Sequence, residues 1–574
     1  MEREAEAVQD DVTELTARAR AWQAEDPDPE TREELAKLIE VEDHEELAAR
    51  FSGSLQFGTA GLRGELGAGP MRMNRSVVIR AAAGLAAYLR GQAPSGGSAA
   101  PALVVVGYDA RHKSYDFACE TASVMTGAGL RAALLPGPLP TPVLAFAIRR
   151  LGAAAGVMVT ASHNPPRDNG YKVYLGEGSQ IVPPADAEIA AAIEAVGPLA
   201  GVARPESGWD VLDEEIVDRY LARTGAVLTE GSPRDVRVVH TALHGVGSAT
   251  LHSAFRRAGF PDPVAVPQQA DPDPDFPTVA FPNPEEPGAM DLAFATARET
   301  ASASGPVDLV IANDPDADRC AVAVPDAGSG SGWRMLRGDD VGALLATHLV
   351  HKRALGTFAT TIVSSSLVSR IARAADLPYE ETLTGFKWLA RVENLRYGCE
   401  EALGYCVDPH GVRDKDGITA ALLIAELAAE LKLADRSLTD LLDDLAVEHG
   451  LHATDQLSVR VDDLSLIASA MERLRAHRPS ALAGLAVVSA EDLSEGTEQL
   501  PPTDGLRYQL AGDPEAGVEK ARVVVRPSGT EPKLKCYLEV VLPVRDQAAL
   551  AAVRTRAASV LAALKADLGA AAGV

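Results

Sequence analysis

The sequence predicts an α/β protein built from several domains, and three observations carry this. The chain has 574 residues, 46% of them hydrophobic and 24% charged, enough at roughly 100–200 residues per domain for three to five domains with sizeable cores. Short apolar runs of strand length recur, each ending at a polar loop and followed by a helical pattern. After residue 450 that rhythm gives way to strand-like pieces alternating with helices, which marks a domain of a different kind.

In chain order, residues 1–50 are charged, carry Leu and Ala at three- and four-residue spacing, and read as helix. Residues 91–101 (GQAPSGGSAAP) have the composition of a flexible loop. The run 102–106 is a buried strand, and Asp109, Ala110 and Arg111 lead from it into a helix. Residues 157–160 form another strand that ends at a polar loop, and 236–240 open a second unit of the same kind. Residues 261–287 hold nine prolines, a density that forbids a central strand or long helix and makes this an extended surface loop. The strand 307–312 (VDLVIA) again ends at a polar loop. A third unit starts near Arg337, with a strand at 360–363, a helix at 367–375 and a loop at 384–388. Strands at 456–461, 521–525 and 534–541 follow, and an Ala-rich helix closes the chain. The expected domains are 1–230, 231–336, 337–450 and 451–574, the first three similar enough in kind to fit an internal repeat.

Asp and Glu number 81 against 54 Lys and Arg, a net charge of −27. Nucleic-acid and anionic-membrane partners are therefore not expected, since both need a basic face. A local, positively lined pocket inside an acidic shell remains compatible with that charge. The five cysteines are scattered without a CxxC pair, so neither a zinc ribbon nor a redox motif is indicated. The start, MEREAEAVQDDV, lacks the basic and apolar regions of a signal peptide. No run of 18 apolar residues occurs, and 420–429, interrupted by Glu426, fits a core-facing helix better than a membrane span. A cytoplasmic protein with reduced thiols is expected.

Four loops carry candidate chemistry. In Thr160-Ala161-Ser162-His163-Asn164-Pro165, a serine at a strand end is a candidate nucleophile held in a tight turn, although an ordinary Ser/Asn turn reads the same way. In Asn313-Asp314-Pro315-Asp316-Ala317-Asp318-Arg319, three carboxylates at i, i+2 and i+4 can converge on a hard divalent cation, the alternative being a solvated acidic turn. The glycine and distal glutamate of an EF-hand loop are missing. Glu400-Glu401-Ala402-Leu403-Gly404-Tyr405, with Thr384-Gly385-Phe386-Lys387 upstream, offers acceptors and a donor for sugar hydroxyls, or simply a helix start. Arg526-Pro527-Ser528-Gly529-Thr530-Glu531-Pro532-Lys533 combines a guanidinium, two hydroxyls and a glycine in the manner of a phosphate cradle. Residues 520–535 hold five basic residues against one acid, a local reversal of sign that favours an anion site over a bland turn. It is not a Walker loop, because GxxxxGK[ST] is absent.

Together and in this order, the four motifs resemble those of the α-D-phosphohexomutase superfamily, the phosphoglucomutases and phosphomannomutases. The resemblance covers nearly the whole chain and includes Phe57-Gly58-Thr59-Ala60-Gly61-Leu62-Arg63-Gly64 and Asn169-Gly170-Tyr171-Lys172. It implies three related α/β domains around a central cleft, plus a C-terminal α+β domain similar to the TATA-binding-protein fold. One departure stands out. Many hexose members read Glu-Glu-Ser where this chain has Glu400-Glu401-Ala402, and EEALGY with Arg413-Asp414-Lys415-Asp416-Gly417 after it resembles the larger branch that includes phosphopentomutases.

The resemblance implies a phosphoserine at Ser162, with Mg²⁺ held by Asp314, Asp316, Asp318 and a phosphoserine oxygen of Ser162. It implies Lys172 or His163 for the hydroxyl proton and Arg319 as a second positive group. Arg63, Lys387, Glu400 and Ala402 would face the sugar, and Arg526, Ser528, Gly529 and Thr530 the phosphate that is not reacting. The expected reaction moves phosphate between C1 and C6 of a hexose, glucose 1-phosphate first, with glucose 1,6-bisphosphate as activator. Mannose and pentose phosphates are the alternative substrates, and a monomer or weak dimer is expected. A DxD-type phosphatase with an aspartyl nucleophile is the rival reading, disfavoured by the serine and RPSGT loops. A non-enzymatic sugar-phosphate binder would not need nucleophile and metal loops together. A nucleotide-cofactor enzyme lacks its GxGxxG.

Overall fold

The computed structural model describes residues 2–92, 100–461, 465–528 and 533–573, with side chains from residue 12 onward. Most of the loop expected at 91–101 lies outside the described residues, as do Gly529 and Thr530. The chain divides into two compact units, one of residues 1–227, 237–333 and 410–422, the other of 228–236, 334–409 and 423–574.

In the first unit, helices Glu2–Glu25, Pro29–Glu40 and His44–Phe51 come first. Asp28 caps the second through the Glu30 amide and Asp43 the third through Glu46, as short acidic side chains do at helix starts. A six-stranded sheet follows in the order Leu62–Glu65, Asp168–Leu175, Ala155–Val159, Leu103–Tyr108, Arg131–Leu134, Asp210–Val211. Ala155–Val159, Leu103–Tyr108 and Arg131–Leu134 run parallel, whereas Asp168–Leu175 is antiparallel to both of its neighbours. Val104, Val105 and Val106 are fully buried, which is why this strand reads as a continuous apolar run rather than an alternation. Burying each such side chain contributes about 1.5–3 kcal/mol. A second sheet is centred on Leu309–Ala312, parallel to Val238–Thr241 and antiparallel to Ala321–Pro325. The carboxyl ends of Leu103–Tyr108, Ala155–Val159 and Leu309–Ala312 release Asp109 to Arg111, the serine loop and the acidic loop. Strand ends of this kind are where open α/β sheets place ligands.

In the second unit, Thr357–Thr361 lies between parallel strands Tyr379–Thr382 and Leu395–Glu400, with Gly404–Cys406 antiparallel at the edge. The final sheet has six strands, with long antiparallel pairs among Leu451–Arg460, Lys533–Leu542, Val518–Pro527 and Leu506–Asp513. Helices Ser465–Ala476 and Leu550–Ala572 share its core. This is the mixed α and β content expected of a C-terminal domain of a different kind. The segment 384–388, expected as loop, instead contains the helical turn Phe386–Leu389. Gly385 takes φ 102° to start it, and Phe386 and Leu389 are buried in one cluster with Leu395 and Cys406. Two apolar residues three apart sufficed to pin a turn too short to show as periodicity. Among the described residues no helix is long and apolar enough to cross a membrane.

Candidate active site

Ser162 sits 3% exposed at the end of Ala155–Val159, in the left-handed region with φ 51°. Its amide donates to Thr160 Oγ1 at 2.9 Å. Its hydroxyl donates to Asp314 Oδ2 at 2.8 Å, and His163 Nδ1 is 3.4 Å away. The serine and the first aspartate therefore meet across 152 residues of sequence.

The acidic loop curls as its spacing predicts. The Ala317 amide closes on the Asp314 carbonyl at 2.8 Å, and the Arg319 amide donates to Asp314 Oδ1 at 3.1 Å. Asp314, Asp316 and Asp318 are at most 1% exposed, with one carboxylate oxygen of each within 4.8 Å of the others. Gly245 permits this packing, because a Cβ there would stand 2.3 Å from the Pro315 Cα.

Cations surround the carboxylates. Lys172 donates to Asp316 Oδ2 at 2.8 Å and Asp318 Oδ2 at 3.3 Å. Lys415 reaches the same Asp318 oxygen at 3.3 Å, and Arg319 Nε is 3.9 Å from both Asp314 and Asp318. Thr141 donates to Asp316 Oδ2 at 2.6 Å. Arg63 donates to Asn164 Oδ1 at 2.9 Å. Its strand is seated by Gly61 at φ 76°, where a Cβ would fall 1.9 Å from the Tyr171 carbonyl oxygen.

Burial, reinforced by Asp318 and Asp316, pushes the Asp314 carboxyl well above its ordinary value. Burial would raise Asp316 too, but the Lys172 amine and the Thr141 hydroxyl outweigh it and hold this carboxyl low. The Lys172 ammonium is disfavoured by burial, yet Asp316 and Asp318 hold its pKa up. Burial, with Arg319 and Arg63 nearby, drives His163 well below its ordinary value. Asp316 Oδ1 and Asp318 Oδ1 are buried with no hydrogen-bond partner among the described residues. Leaving a buried acceptor unmet costs about 1–3 kcal/mol. Three converging carboxylates with two unmet oxygens fit a hard, oxygen-seeking divalent cation.

Lys415 was not singled out by sequence reasoning. It comes from a distant segment that the first unit holds by buried hydrogen bonds. Tyr174 and Gln180 donate to Asp414 Oδ2 at 2.9 and 3.0 Å, and Tyr220 to Asp416 Oδ1 at 2.9 Å. Gly417 completes the seat, since a Cβ there would lie 2.2 Å from the Arg319 carbonyl oxygen. Arg111 was likewise passed over as the start of a helix. Both lie in motifs already read, RDKDG and DAR, so a charged residue flanked by buried-type partners was the available signal.

The remaining predicted residues lie in the second unit. Lys387 is half-buried on the turn Phe386–Leu389, and Glu400 and Ala402 are half-buried where Leu395–Glu400 ends. Glu401 accepts from Ser364 Oγ at 3.0 Å and so is tied back into its own domain. Arg526 and Ser528 lie at the end of Val518–Pro527, with the Ser528 amide donating to Lys533 O at 2.8 Å. Burial, then Glu401, push the Tyr537 phenol above its ordinary value, while Arg526 opposes them. The sugar-loop carboxylates and Arg526 thus share one neighbourhood.

A serine hydroxyl beside a ringed set of carboxylates and cations, at the strand ends of an α/β sheet, defines a site for phosphoryl transfer. Family models for the three alpha/beta/alpha domains of phosphoglucomutase/phosphomannomutase match residues 54–198, 218–330 and 337–448, and that for the C-terminal domain matches 513–559. A probable phosphomannomutase of Haemophilus influenzae is 46% identical over 82% of this chain and 93% of its own. A probable phosphoribomutase of Schizosaccharomyces pombe is 37% identical over 90% of this chain and 92% of its own. The crystal structure of a putative phosphomannomutase from Thermus thermophilus covers 89% of this chain and 99% of its own at 25% identity, with a TM-score of 0.66. The chain belongs to the phosphoglucomutase/phosphomannomutase family and is a phosphomutase of that type.

Proposed function

We propose that this phosphomutase moves a phosphate between the anomeric oxygen and the terminal hydroxyl of an aldose, through a phosphoserine at Ser162 and a bisphosphorylated sugar. The observation that carries the reading is the Ser162 hydroxyl, 2.8 Å from Asp314 and inside the cluster of aspartates and lysines. In the first half-reaction the P–Oγ bond of phospho-Ser162 breaks, a bond from phosphorus to the sugar hydroxyl forms, and that hydroxyl's proton passes to His163, which burial keeps neutral, while Lys172, held protonated by Asp316 and Asp318, stays an ammonium beside the transferring group. In the second, the other phosphate of the bisphosphate returns to Ser162 and the proton returns to the freed sugar oxygen. Arg63 and Arg319 offset charge at the transferring group. A Mg²⁺ held by Asp314, Asp316, Asp318 and a Ser162 phosphate oxygen would supply further charge neutralisation. Lys387, Glu400 and the Ala402 loop would orient the sugar. Arg526, Ser528, Gly529 and Thr530 would hold the idle phosphate. Glucose 1,6-bisphosphate, or an equivalent bisphosphate, would prime Ser162.

Glucose 1-phosphate is the hexose to test first. A pentose 1-phosphate is the second reading, favoured by the relative named phosphoribomutase, which matches over nine-tenths of both chains. Ala402 alone does not decide between them, since one lost hydroxyl contact shifts discrimination by about 1–2 kcal/mol. Five cysteines, none in a disulfide among the described residues and four of them buried, support a reducing, cytoplasmic setting, and the reading includes a monomer or weak dimer.

The test is kcat/KM on glucose, mannose, glucosamine and pentose phosphates with bisphosphate supplied, together with phosphate labelling of the enzyme. An acid-stable label that Ser162→Ala abolishes along with activity is the expected result. A label removed by hydroxylamine would point to an aspartyl phosphate instead, and near-normal activity in Ser162→Ala would remove Ser162 from the mechanism.

A further inference from the structure

Ser162 holds a left-handed backbone that residues other than glycine rarely adopt. Something must over-determine it, and the groups that do so reach no carboxylate of the metal loop by hydrogen bond among the described residues. Arg111, with its side chain fully buried, donates through Nη2 to Ser162 O at 2.6 Å and Asn164 O at 2.7 Å, and through Nη1 to Pro165 O at 2.8 Å and Asp168 O at 3.2 Å. One guanidinium thus gathers four carbonyl oxygens of the serine loop. Its Nε faces Asp109 Oδ2 at 3.3 Å. Asp109 in turn accepts from Thr160 Oγ1 and Ser114 Oγ, both at 2.6 Å, and Thr160 Oγ1 accepts the Ser162 amide. Both the amide and the carbonyl of Ser162 are therefore held by one buried Asp109–Arg111 pair.

The other side of Arg111 meets the proline-rich loop. The Phe276 ring lies 4.9 Å below the guanidinium carbon and is 2% exposed. That loop is itself fixed. The Phe276 amide donates to Asp273 O at 3.2 Å, the Asp273 amide to His244 O at 3.0 Å, and His112 Nε2 meets Asp275 Oδ1 at 2.7 Å. A planar, always charged guanidinium can serve several carbonyls and stack on a ring at once, which a lysine ammonium cannot.

We infer that Arg111 is a positioning residue for phosphoryl transfer, fixing the serine-loop backbone so that the Ser162 oxygen keeps its line to Asp314, and that Phe276 holds Arg111 in that role. This rests on the reading of Ser162 as the phosphorylated residue. It gives the nine-proline loop a task that its composition did not disclose, as the floor beneath the clamp.

Rates of Ser162 labelling by a sugar bisphosphate in single turnover, with steady-state kcat and KM, test the inference on the full chain. Arg111→Lys should lower labelling rate and kcat together by about 10²-fold, the cost of misplacing a reacting group, with KM for the sugar phosphate within about threefold. Methylguanidine should restore part of the rate to Arg111→Gly. Phe276→Leu should slow labelling less, and Phe276→Tyr should recover most of that loss. Circular dichroism and urea midpoints establish the folded fraction of each variant. Should the Arg111 variants fail to fold, the Phe276 pair decides the matter. Labelling of folded Arg111→Lys at the wild-type rate, or losses that track only the unfolded fraction, overturn the clamp. Absence of label on the wild type would instead overturn the reading of Ser162, and the clamp with it.

Discussion

Asp318 Oδ2 is shared by two amines, Lys172 and Lys415, each at 3.3 Å, while Asp318 Oδ1 is buried without a hydrogen bond. The carboxylate is thus already half neutralised before any cation arrives. This makes opposite predictions for two substitutions in one loop system. Asp316→Asn removes a negative charge and should weaken Mg²⁺ binding and the magnesium dependence of activity. Lys415→Met removes a competing positive charge and should tighten Mg²⁺ binding by about threefold or more, since like charges a few ångströms apart in a buried site repel strongly. It should nonetheless lower kcat, because a positive group beside the transferring phosphate is lost. Calorimetric titration with Mg²⁺ and initial rates at saturating Mg²⁺ check both. Equal affinity in wild type and Lys415→Met would mean that the amine does not feel the cation, and an unaltered magnesium response in Asp316→Asn would remove that residue from the metal set.

At the scale of elements, residues 228–236 lie between two stretches of the first unit in sequence but pack in the second. Glu426, on the helix Gly417–Leu433 and 0% exposed, is what holds them there. Its Oε1 accepts from the Thr229 amide at 2.6 Å and Ser232 Oγ at 2.5 Å, and its Oε2 from His348 Nε2 at 2.9 Å and from Lys352. Burial opposes the charge, but these partners outweigh it and bring the pKa down to about 2. A carboxylate lowered from its ordinary value of 4.5 stabilises the fold above that pH, and the contribution is lost as pH falls through 2. Glu426→Gln should therefore cost about 3 kcal/mol at pH 7, and the gap to wild type should shrink by about 1 kcal/mol at pH 3.5. Urea unfolding at the two pH values measures it, and a gap that ignores pH would show the charge to be irrelevant. Sequence reading saw Glu426 only as an interruption in an apolar helix. Its partners lie 78 and 197 residues away, and no local pattern encodes such a pairing. The strands at 102–106 and 307–312 were legible because burial on both faces writes itself into consecutive residues. Ser162 and the three aspartates were legible because each motif is continuous in sequence. Arg111 and Lys415 were not, because their meaning lies wholly in groups brought by other strands.

For the whole molecule, a net charge of −27 repels phosphates and attracts Mg²⁺, so the site must work against its own protein's field. It does so with Arg63, Lys172, Arg319 and Lys415 placed close around the carboxylates. A cation that binds only the closed arrangement of serine and acidic loops stabilises that arrangement by RT ln(1 + [Mg²⁺]/Kd), about 2.7 kcal/mol at 100 times Kd. The two loops come from different sheets of the first unit, and the Ser162–Asp314 hydrogen bond joins them directly. An opening that parts them and unravels 313–319 scatters the three carboxylates and so releases the cation. Hydrogen exchange through such openings should slow by about 100-fold at that Mg²⁺ concentration, the same factor as the linkage energy. The slowing should fall on 160–168 and 313–319, whose amides belong to the loops. Val518–Pro527, paired along its length on both sides within the C-terminal sheet of the second unit, gains nothing from the cation and should exchange as before. Asp316→Asn should erase the effect in the two loops while leaving Val518–Pro527 unchanged. Protection spread evenly over both units would show that Mg²⁺ acts through general charge screening of an acidic protein rather than through the three aspartates.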